Sequence, residues 1–293
     1  MKISKVCVIG GSGFVGRHIL HLLARDGVSV RVPTRNRERA KRELILLPAV
    51  DVVAADVNDA SQLNELIGGV DAVVNLVGIL HERRSGDFTR AHVELPRKIV
   101  EACRAQGVTR LLHMSALNAG VDAPSAYLRS KGEAQALLKN AAGLDVTIFR
   151  PSVIFGRGDS FLNLFAQLLH WLPLLALGSP NARFQPVHVE DVAQAFVSSL
   201  GNLETFGKSY DLCGPKVYTL RELVELTGKF TGHARPIIGL PDGLSYLQAA
   251  VMEFMPVTLL TRDNYYSMKV DSICDCPFPF GIRPAALEAI AAT

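Results

Sequence analysis

The sequence has few cysteines, little net charge and no repeats, and each shortage excludes a class of protein. Its five cysteines among 293 residues are too few and too scattered for a small disulfide-stapled domain. Thirty-one lysines and arginines against 28 aspartates and glutamates leave a net charge of +3, which is too small to predict a nucleic-acid partner. A hydrophobic content of 48% excludes intrinsic disorder and predicts a large buried core.

Long apolar runs are also lacking. The first run, residues 3–9, is too short for a signal peptide and is typical of a buried strand. The most apolar later stretch, 162–177, is interrupted by polar residues and Pro173, so it lacks the ~20 apolar residues of a bilayer span. With an odd cysteine count, these features predict a cytoplasmic protein in a reducing compartment. Cys274 and Cys276 have no second pair nearby, and we predict no metal site.

What the first half of the chain does contain is a regular alternation of strand-like and helix-like segments. The predicted strands are Lys5–Ile9, Ser29–Pro33, Val52–Ala55, Ala72–Val77, Arg110–Met114 and Val146–Phe149. Their apolar runs are continuous, which indicates a parallel sheet covered on both faces. We therefore predict a Rossmann-type, doubly wound α/β fold with a dinucleotide-binding domain over residues 1–150. Residues 151–293 are predicted to form a smaller, helix-rich lobe, with one return to the sheet near 184–189.

A glycine-rich loop follows the first predicted strand and precedes a predicted helix. The loop consists of Gly10, Gly11, Ser12, Gly13, Phe14, Val15 and Gly16. Glycines allow a sharp turn and let backbone N–H groups approach a diphosphate, while the helix N-terminus supplies partial positive charge. The alternative is a tight strand–helix turn that binds nothing. The position between strand and helix favours a dinucleotide site.

The end of the second strand indicates which dinucleotide is bound. An NAD site usually places an acidic residue there to hold the ribose 2′-hydroxyl. This chain instead has Arg35, followed by Arg37, and no acid. A guanidinium can bind a 2′-phosphate with two hydrogen bonds. We therefore predict NADP(H) in preference to NAD(H), with Arg35 as the first candidate contact and Arg37 as the second; a solvated basic helix face is the alternative.

Residues at the ends of the third and fourth strands are further cofactor candidates. Asp56 and Val57 follow the third strand, and Asn75, Val77 and Gly78 end the fourth. Both groups lie at carboxyl ends of parallel strands, where ligands bind in open α/β sheets. The alternative is that they are ordinary turn residues.

Three further residues form a candidate catalytic group. Tyr127 and Lys131 are four residues apart, which places them on one face of a helix, and Ser115 ends the fifth strand. An adjacent ammonium group would stabilise a tyrosinate, so Tyr127 could act as general acid or base in hydride transfer. Lys131 could also bind ribose hydroxyls, and Ser115 a substrate oxygen. Helix packing with an unrelated strand-end serine is the alternative.

These residues resemble the short-chain dehydrogenase/reductase superfamily, in the extended branch that includes NAD-dependent epimerases and dehydratases. The resemblance extends over nearly the whole chain and includes two later motifs, 150–156 and 186–193. It implies that Tyr127, Lys131, Pro151 and Val153 also contact the cofactor.

A closer resemblance is to bacterial relatives of the NADPH-binding accessory subunit of respiratory complex I. It is carried by residues 113–119, 127–131, 155–163 and 185–187. This resemblance implies tightly held NADPH without established turnover. The chain also departs from active epimerases, which usually carry an asparagine where residues 92–96 read His-Val-Glu-Leu-Pro.

Three functions are therefore compatible with the sequence. The first is an NADP(H)-dependent oxidoreductase acting on a carbonyl or hydroxyl of a small molecule. The second is a non-turnover NADPH-binding or redox-sensing protein of a respiratory or quinone-related complex, and the third is a nucleotide-sugar epimerase or dehydratase. Peripheral contact with the inner face of a membrane is less favoured, because the apolar segment 244–255 lacks lysine and arginine on its polar face.

Overall fold

The computed structural model describes residues 1–44, 47–254 and 260–291. Continuous apolar segments form its central strands because both faces of the sheet are covered. In β1, Val6 and Val8 pack on one face while Cys7 and Ile9 pack on the other. The strands are β1 (Lys5–Ile9), β2 (Ser29–Thr34), β3 (Val50–Ala54), β4 (Ala72–Asn75), β5 (Arg110–Met114), β6 (Asp145–Pro151), β7 (Ile154–Phe155), β8 (Leu175–Leu177), β9 (Arg183–Phe184), β10 (Val187–His188), β11 (Ser209–Leu212), β12 (Tyr218–Thr219) and β13 (Ile237–Gly239).

Helices follow most of these strands, as expected for right-handed crossovers between parallel strands. They are α1 (Phe14–Arg25), α2 (Arg37–Leu44), α3 (Ala60–Ile67), α4 (Asp87–Thr89), α5 (Leu95–Gln106), α6 (Ala126–Lys139), α7 (Phe161–Trp171), α8 (Val189–Leu200), α9 (Leu220–Phe230), α10 (Asp242–Met252), α11 (Arg262–Ser267) and α12 (Leu287–Ala291). A π-helical turn, Arg90–Glu94, joins α4 to α5, and two short 3₁₀ turns span Leu203–Thr205 and Pro279–Gly281.

Seven parallel strands form the main sheet, in the order β11-β6-β5-β4-β1-β2-β3. From β1 the chain first adds strands on one side (β2, β3) and then on the other (β4, β5, β6), so the direction of strand order reverses between β1 and β4. The carboxyl ends of these two strands therefore flank the crevice in which doubly wound folds bind ligands. Helices cover both faces, with α1 and α8 packed together on one and α3 and α5 on the other. The predicted Rossmann-type α/β fold is confirmed.

The predicted return to the sheet near 184–189 is wrong. Those residues form β9, which pairs with β12, and β10, which pairs with β7. The returning strand is β11, which lies parallel to β6. The backbone at 185–187 is otherwise engaged: Gln185 donates its N–H to Ser272, and Pro186 has no N–H to contribute to a ladder.

Residues after 150 thus contribute both a strand and a covering helix to the sheet. The predicted domain boundary at residue 150 stays a prediction. A separate apolar cluster, which includes Phe155, Leu169 and Leu223, lies among the later helices and short strands. No helix in the described part of the chain has the length and apolarity needed to cross a bilayer.

Candidate functional site

The glycine loop turns tightly between β1 and α1. Gly10 has φ +86°, a left-handed conformation that favours glycine. Gly11 donates its N–H to Val8 at 3.2 Å, and Gly13 donates to Gly10 at 3.0 Å, which closes the turn before α1 begins at Phe14. No acidic side chain lies in the first turn of α1. The helix therefore presents unneutralised N–H groups to an anion.

Close backbone contacts leave no room for a side chain at two glycines of this loop. A Cβ atom on Gly16 would lie 2.5 Å from the Gly11 oxygen, and one on Gly10 would lie 3.2 Å from the carbonyl carbon of Leu76. Glycine at these positions lets α1 approach β1 and the turn after β4. Such a cradle fits the diphosphate of a dinucleotide, with the N–H groups at the start of α1 as donors.

The two predicted 2′-phosphate contacts differ in their surroundings. Arg35 is exposed just beyond β2, whereas Arg37 donates its Nε–H to the Val52 oxygen at 3.2 Å. One donor of the Arg37 guanidinium is thus already engaged by the main chain. Asp56 accepts the backbone N–H of Asn58 at 3.0 Å and its side-chain amide at 2.9 Å, and these bonds lower the pKa of its carboxyl. Val57, the cofactor candidate next to Asp56, packs on the sheet face that contains Cys7 and Ile9.

The turn after β4 joins the glycine loop to α6. The side-chain Oδ1 of Asn75 accepts the Val77 N–H at 3.1 Å and so shapes the turn toward Gly78. A Cβ on Gly78 would lie 3.1 Å from the Lys131 Nζ. The Leu76 N–H donates to the Ile9 oxygen at 2.9 Å, and the Val77 oxygen lies 3.5 Å from the Lys131 Nζ. The structure thus brings the start of the glycine loop, this turn and Lys131 together at one edge of the sheet.

Lys131 is a buried cation at the strand ends. Its side chain, on a residue only 3% exposed, donates to the Met114 oxygen at 3.1 Å and reaches the Val77 oxygen at 3.5 Å. Burial lowers the pKa of Lys131 to about 8. Burial, with a smaller effect of Asp263, raises the pKa of Tyr127 to about 12. Burial and Asp263 thus both favour the neutral phenol, and Lys131 is not among the groups that shift the pKa of Tyr127.

Ser115 is held by a residue that the sequence did not single out. Its hydroxyl accepts the side-chain amide of Gln135 at 2.7 Å, and both residues are buried. Gln135 lies two helical turns beyond Tyr127, roughly 12 Å along α6. The structure thus joins Ser115 to Gln135, and it places Tyr127 beside His92 and Phe88.

His92 lies in the π-helical turn and connects α6 to the turn after β4. Its Nε2 accepts the Ile79 N–H at 3.1 Å, and its Nδ1 lies 2.8 Å from the Ser130 hydroxyl oxygen. Because Ser130 donates its own hydroxyl proton to the Tyr127 carbonyl, His92 must carry its proton on Nδ1. Burial and the Lys131 charge lower the pKa of His92 to about 2, so the ring is neutral.

A second buried histidine adjoins this site. His113 Nδ1 lies 3.2 Å from the Asn75 amide nitrogen, and burial followed by the Lys131 charge lowers its pKa well below the usual value. Both histidines lie close enough to Lys131 for its charge to lower their pKa values. The sequence did not predict this for His92, because its position depends on the π-helical turn. Pro151 and Val153, at the end of β6, accept the backbone N–H groups of Leu117 and Val187. They lie on the far side of Ser115 from β4.

Comparison with known proteins identifies the family to which this chain belongs. Residues 6–213 match the NAD dependent epimerase/dehydratase family, which includes the glycine loop, the turn after β4, Tyr127 and Lys131. The chain belongs to that family. The resemblance inferred from the sequence is confirmed, and so is a nicotinamide dinucleotide as the family's cofactor class.

Several curated relatives of this epimerase/dehydratase chain are subunits of a respiratory complex. It is 34% identical over 300 residues to the mitochondrial NADH dehydrogenase [ubiquinone] 1 alpha subcomplex subunit 9 of Mus musculus, covering 96% of this chain and 77% of that protein. Its identity to the Arabidopsis thaliana subunit 9 is 33% over 256 residues, or 85% of this chain and only 63% of that relative. A ceramide reductase of Caulobacter vibrioides is 31% identical over 245 residues, covering 81% and 74%.

Solved structures of other proteins share the fold. A nucleoside-diphosphate-sugar epimerase from Staphylococcus aureus superposes with a TM-score of 0.72 at 19% identity, covering 90% of this chain and 89% of its own. MoeE5 in complex with UDP-glucuronic acid and NAD superposes with a TM-score of 0.69 at 20% identity, covering 82% and 86%. At these identities the likeness extends to the fold alone.

Over residues 1–44, 47–254 and 260–291, no group of three or more His, Cys, Asp or Glu side chains is arranged to hold a metal ion.

Proposed function

We propose that this epimerase/dehydratase-family protein binds NADP(H) and exchanges a hydride with a carbonyl or hydroxyl of a small molecule. The observation that carries the proposal is the turn 76–78: Leu76 bonds the Ile9 oxygen directly before the glycine loop, and the Val77 oxygen lies 3.5 Å from the Lys131 ammonium. A dinucleotide whose diphosphate lies on the glycine loop would therefore extend toward Tyr127 and Lys131. When bound, the nicotinamide supplies or accepts the hydride.

Tyr127 and Lys131 would handle the proton. The high pKa of Tyr127 keeps its hydroxyl protonated at neutral pH, so it is suited to donate a proton to a carbonyl oxygen that receives a hydride. Lys131, held by the Met114 oxygen, would bind ribose hydroxyls and stabilise the tyrosinate left behind. Ser115 accepts a hydrogen bond from Gln135 and keeps its own proton, so Gln135 would orient the hydroxyl and Ser115 would donate that proton to a substrate oxygen.

The test of the cofactor is mass spectrometry of nucleotide released from the purified protein, followed by calorimetric titration with NADPH and NADH. We expect NADPH to be released and to bind more tightly than NADH. Failure of both coenzymes to bind would overturn the proposal.

The NADP preference can be assigned to one arginine. We expect Arg35→Ser to weaken NADPH binding by roughly tenfold to a hundredfold and to leave NADH binding nearly unchanged, because it removes a charged donor to the 2′-phosphate. Arg37→Ser is the matched control, since the Arg37 guanidinium already bonds the Val52 oxygen. Equal losses for both coenzymes in Arg35→Ser would contradict the assignment.

Turnover is tested separately with Tyr127→Phe. This variant should retain NADPH binding, because the lost hydroxyl is not part of the glycine loop, and should lose oxidation of NADPH by any carbonyl substrate that the wild type reduces. Long-chain ketones and nucleotide sugars are suitable substrates to screen, since a ceramide reductase and nucleotide-sugar epimerases lie among the similar proteins. A Tyr127→Phe variant with wild-type turnover would exclude this residue as the proton donor.

A second candidate is an NADPH-binding accessory or redox-sensing protein of a respiratory or quinone-related complex. It is favoured by the mitochondrial relatives, which are subunits of NADH dehydrogenase. In that case the protein would hold NADPH through gel filtration, reduce no substrate, and copurify with a respiratory complex at the inner face of the membrane. Rapid exchange of the nucleotide with solvent would count against this candidate and for the cytoplasmic oxidoreductase.

A further inference from the structure

Three cysteine sulfurs meet at the edge of the sheet, away from the nucleotide site. Cys213, directly after β11, forms a disulfide with Cys274. The Cys276 sulfur lies 3.1 Å from the Cys274 sulfur, closer than two unbonded sulfur atoms normally approach. Cys276 is a free and exposed thiol. A reducing compartment, which the sequence predicted, would not by itself lead to this disulfide.

The segment that carries Cys274 crosses the carboxyl ends of three strands. The backbone oxygen of Asp271 accepts the side-chain amide of Asn118, which follows β5, and the Asp271 carboxylate pairs with Arg183 at 2.6 Å. Ser272 accepts the Ser152 hydroxyl after β6 at 2.7 Å. The disulfide to Cys213 then fixes the same segment to the end of β11. We call residues 271–276 the strap.

We propose that Cys213, Cys274 and Cys276 form a thiol–disulfide exchange site that attaches and releases the strap. The Cys276 thiolate attacks the Cys274 sulfur, a Cys274–Cys276 disulfide forms, and the Cys213–Cys274 bond breaks. The electron pair of the broken bond leaves on Cys213, which takes up the proton that Cys276 gave to solvent. The number of disulfides is unchanged, so no oxidant or reductant is consumed.

The surroundings of Cys276 set the pH at which this exchange runs. Burial raises the pKa of Cys276, the Asp211 and Asp275 carboxylates add to that rise, and the Arg150 guanidinium opposes it. Arg150 and Asp211 pair with each other at 2.6 Å. Because the thiolate is the nucleophile, exchange should be slow near pH 6 and should accelerate about tenfold per pH unit below the pKa of Cys276.

Exchange would change what the disulfide encloses. The Cys213–Cys274 bond spans a sequence separation of 61 residues and fixes the strap to the sheet. A Cys274–Cys276 bond encloses only Asp275 and leaves the strap held by hydrogen bonds and the Arg183 ion pair. Since α11 precedes the strap and its Asp263 caps the start of α6 at Ala126 and Tyr127, release of the strap would loosen the support of Tyr127.

Trypsin separates the two disulfide isomers. Cleavage after Lys208 and Lys216 places Cys213 in the peptide 209–216, and cleavage after Lys269 places Cys274 and Cys276 together in a peptide that begins at Val270. The full-length protein, purified in air, is incubated at pH 6 or pH 8.5, quenched with acid, alkylated with N-ethylmaleimide under denaturing conditions and digested. Cys7 and Cys103, which are buried free thiols, report complete alkylation.

The two isomers give different masses. At pH 8.5 we expect both the cross-linked pair of peptides with Cys276 alkylated and the Val270 peptide with an internal disulfide and Cys213 alkylated. At pH 6 the second species should appear at least tenfold more slowly. Cys276→Ser should give the cross-linked pair alone, and Cys213→Ser the internal disulfide alone. Three free thiols in the wild type, or a cross-linked pair that never exchanges at pH 8.5, would overturn the proposal.

Discussion

Gly16 has no room for a side chain, and this gives the sharpest prediction for a single residue. In Gly16→Ala the added Cβ would lie 2.5 Å from the Gly11 oxygen and 2.6 Å from the Gly10 oxygen. Backbone atoms cannot give way cheaply, so α1 must move from β1. We expect a loss of about 2–4 kcal/mol in the free energy of unfolding, measured by urea titration, and loss of NADPH binding by calorimetry.

Gly243→Ala is the matched control for that substitution. Gly243 lies in α10, and a Cβ there would meet no atom within 4 Å. Because alanine is the better helix former, this variant should gain up to about 1 kcal/mol and bind NADPH normally. Wild-type NADPH affinity in Gly16→Ala would show that the glycine loop does not bind the diphosphate.

The buried charge of Lys131 predicts a specific dependence of stability on pH. Its pKa is lowered from 10.5 to about 8, so between these values the unfolded chain binds more protons than the folded one. Stability from this group therefore rises with pH. Relative to Lys131→Met, the wild type should gain about 2 kcal/mol in unfolding free energy between pH 7.5 and 9.5, measured by urea titration. A constant difference between the two proteins would contradict a buried, protonated Lys131.

At the scale of elements, the π-helical turn fixes the position of α6. We predict that His92→Phe, which retains an aromatic ring beside Phe88 and Tyr127, will leave the Ile79 N–H without its acceptor and cost about 1–3 kcal/mol. It should also weaken NADPH binding, because α6 carries Lys131. Both effects are measured by urea titration and calorimetry.

The partner of this interaction provides the control. Ser130→Ala removes the acceptor of the His92 Nδ1 proton and the hydroxyl that donates to the Tyr127 oxygen. It leaves the Ile79 N–H with its acceptor, so its cost should be smaller. The loss of unfolding free energy in the double variant should be smaller than the sum of the two single losses by at least about 0.5 kcal/mol, because both single changes break the bond between His92 and Ser130. Strict additivity would mean that the two side chains are not coupled.

The strands could be predicted from the sequence, and the contacts of the site could not. β1 and β4 are apolar on both faces, which gives an unmistakable run of valines and isoleucines. The turn from Asn75 to Gly78 followed from its place after such a strand. The Ser115–Gln135 bond depends instead on how far α6 slides along β5, and the position of His92 depends on one extra residue in a helical turn. Neither leaves a periodic signal in the sequence.

Over the whole molecule, the sheet is completed only by residues distant in the chain. β11 covers the edge of β6, and Phe149 of β6 packs against Phe196 of α8 and Tyr210 of β11. The short run 209–213 has too little apolar character to be recognised as a strand of the main sheet. Its place is set by the packing of these rings, which couples the later residues to the nucleotide-binding strands.

Arg110 is the polar counterpart of that coupling. Its fully buried guanidinium, on β5, donates to the Ser199 and Leu200 oxygens at the end of α8 and to the Thr205 hydroxyl. It also donates to the Asp145 oxygen and the Thr147 hydroxyl of β6. One side chain therefore holds together β5, β6 and the segment that leads into β11.

Arg110→Met should destabilise the molecule as a single unit. The change leaves several buried acceptors without a donor, and we expect a loss of about 3–5 kcal/mol in unfolding free energy. Arg104→Met is the matched control, since Arg104 donates to the Ala142 oxygen from an exposed position and its loss should cost less than about 1 kcal/mol. Amide hydrogen exchange distinguishes the whole from its parts: protection in β1, β5 and α8 should fall by the same factor in Arg110→Met. If only residues 199–205 lost protection, Arg110 would merely anchor a surface turn, and the two halves of the chain would fold independently of it.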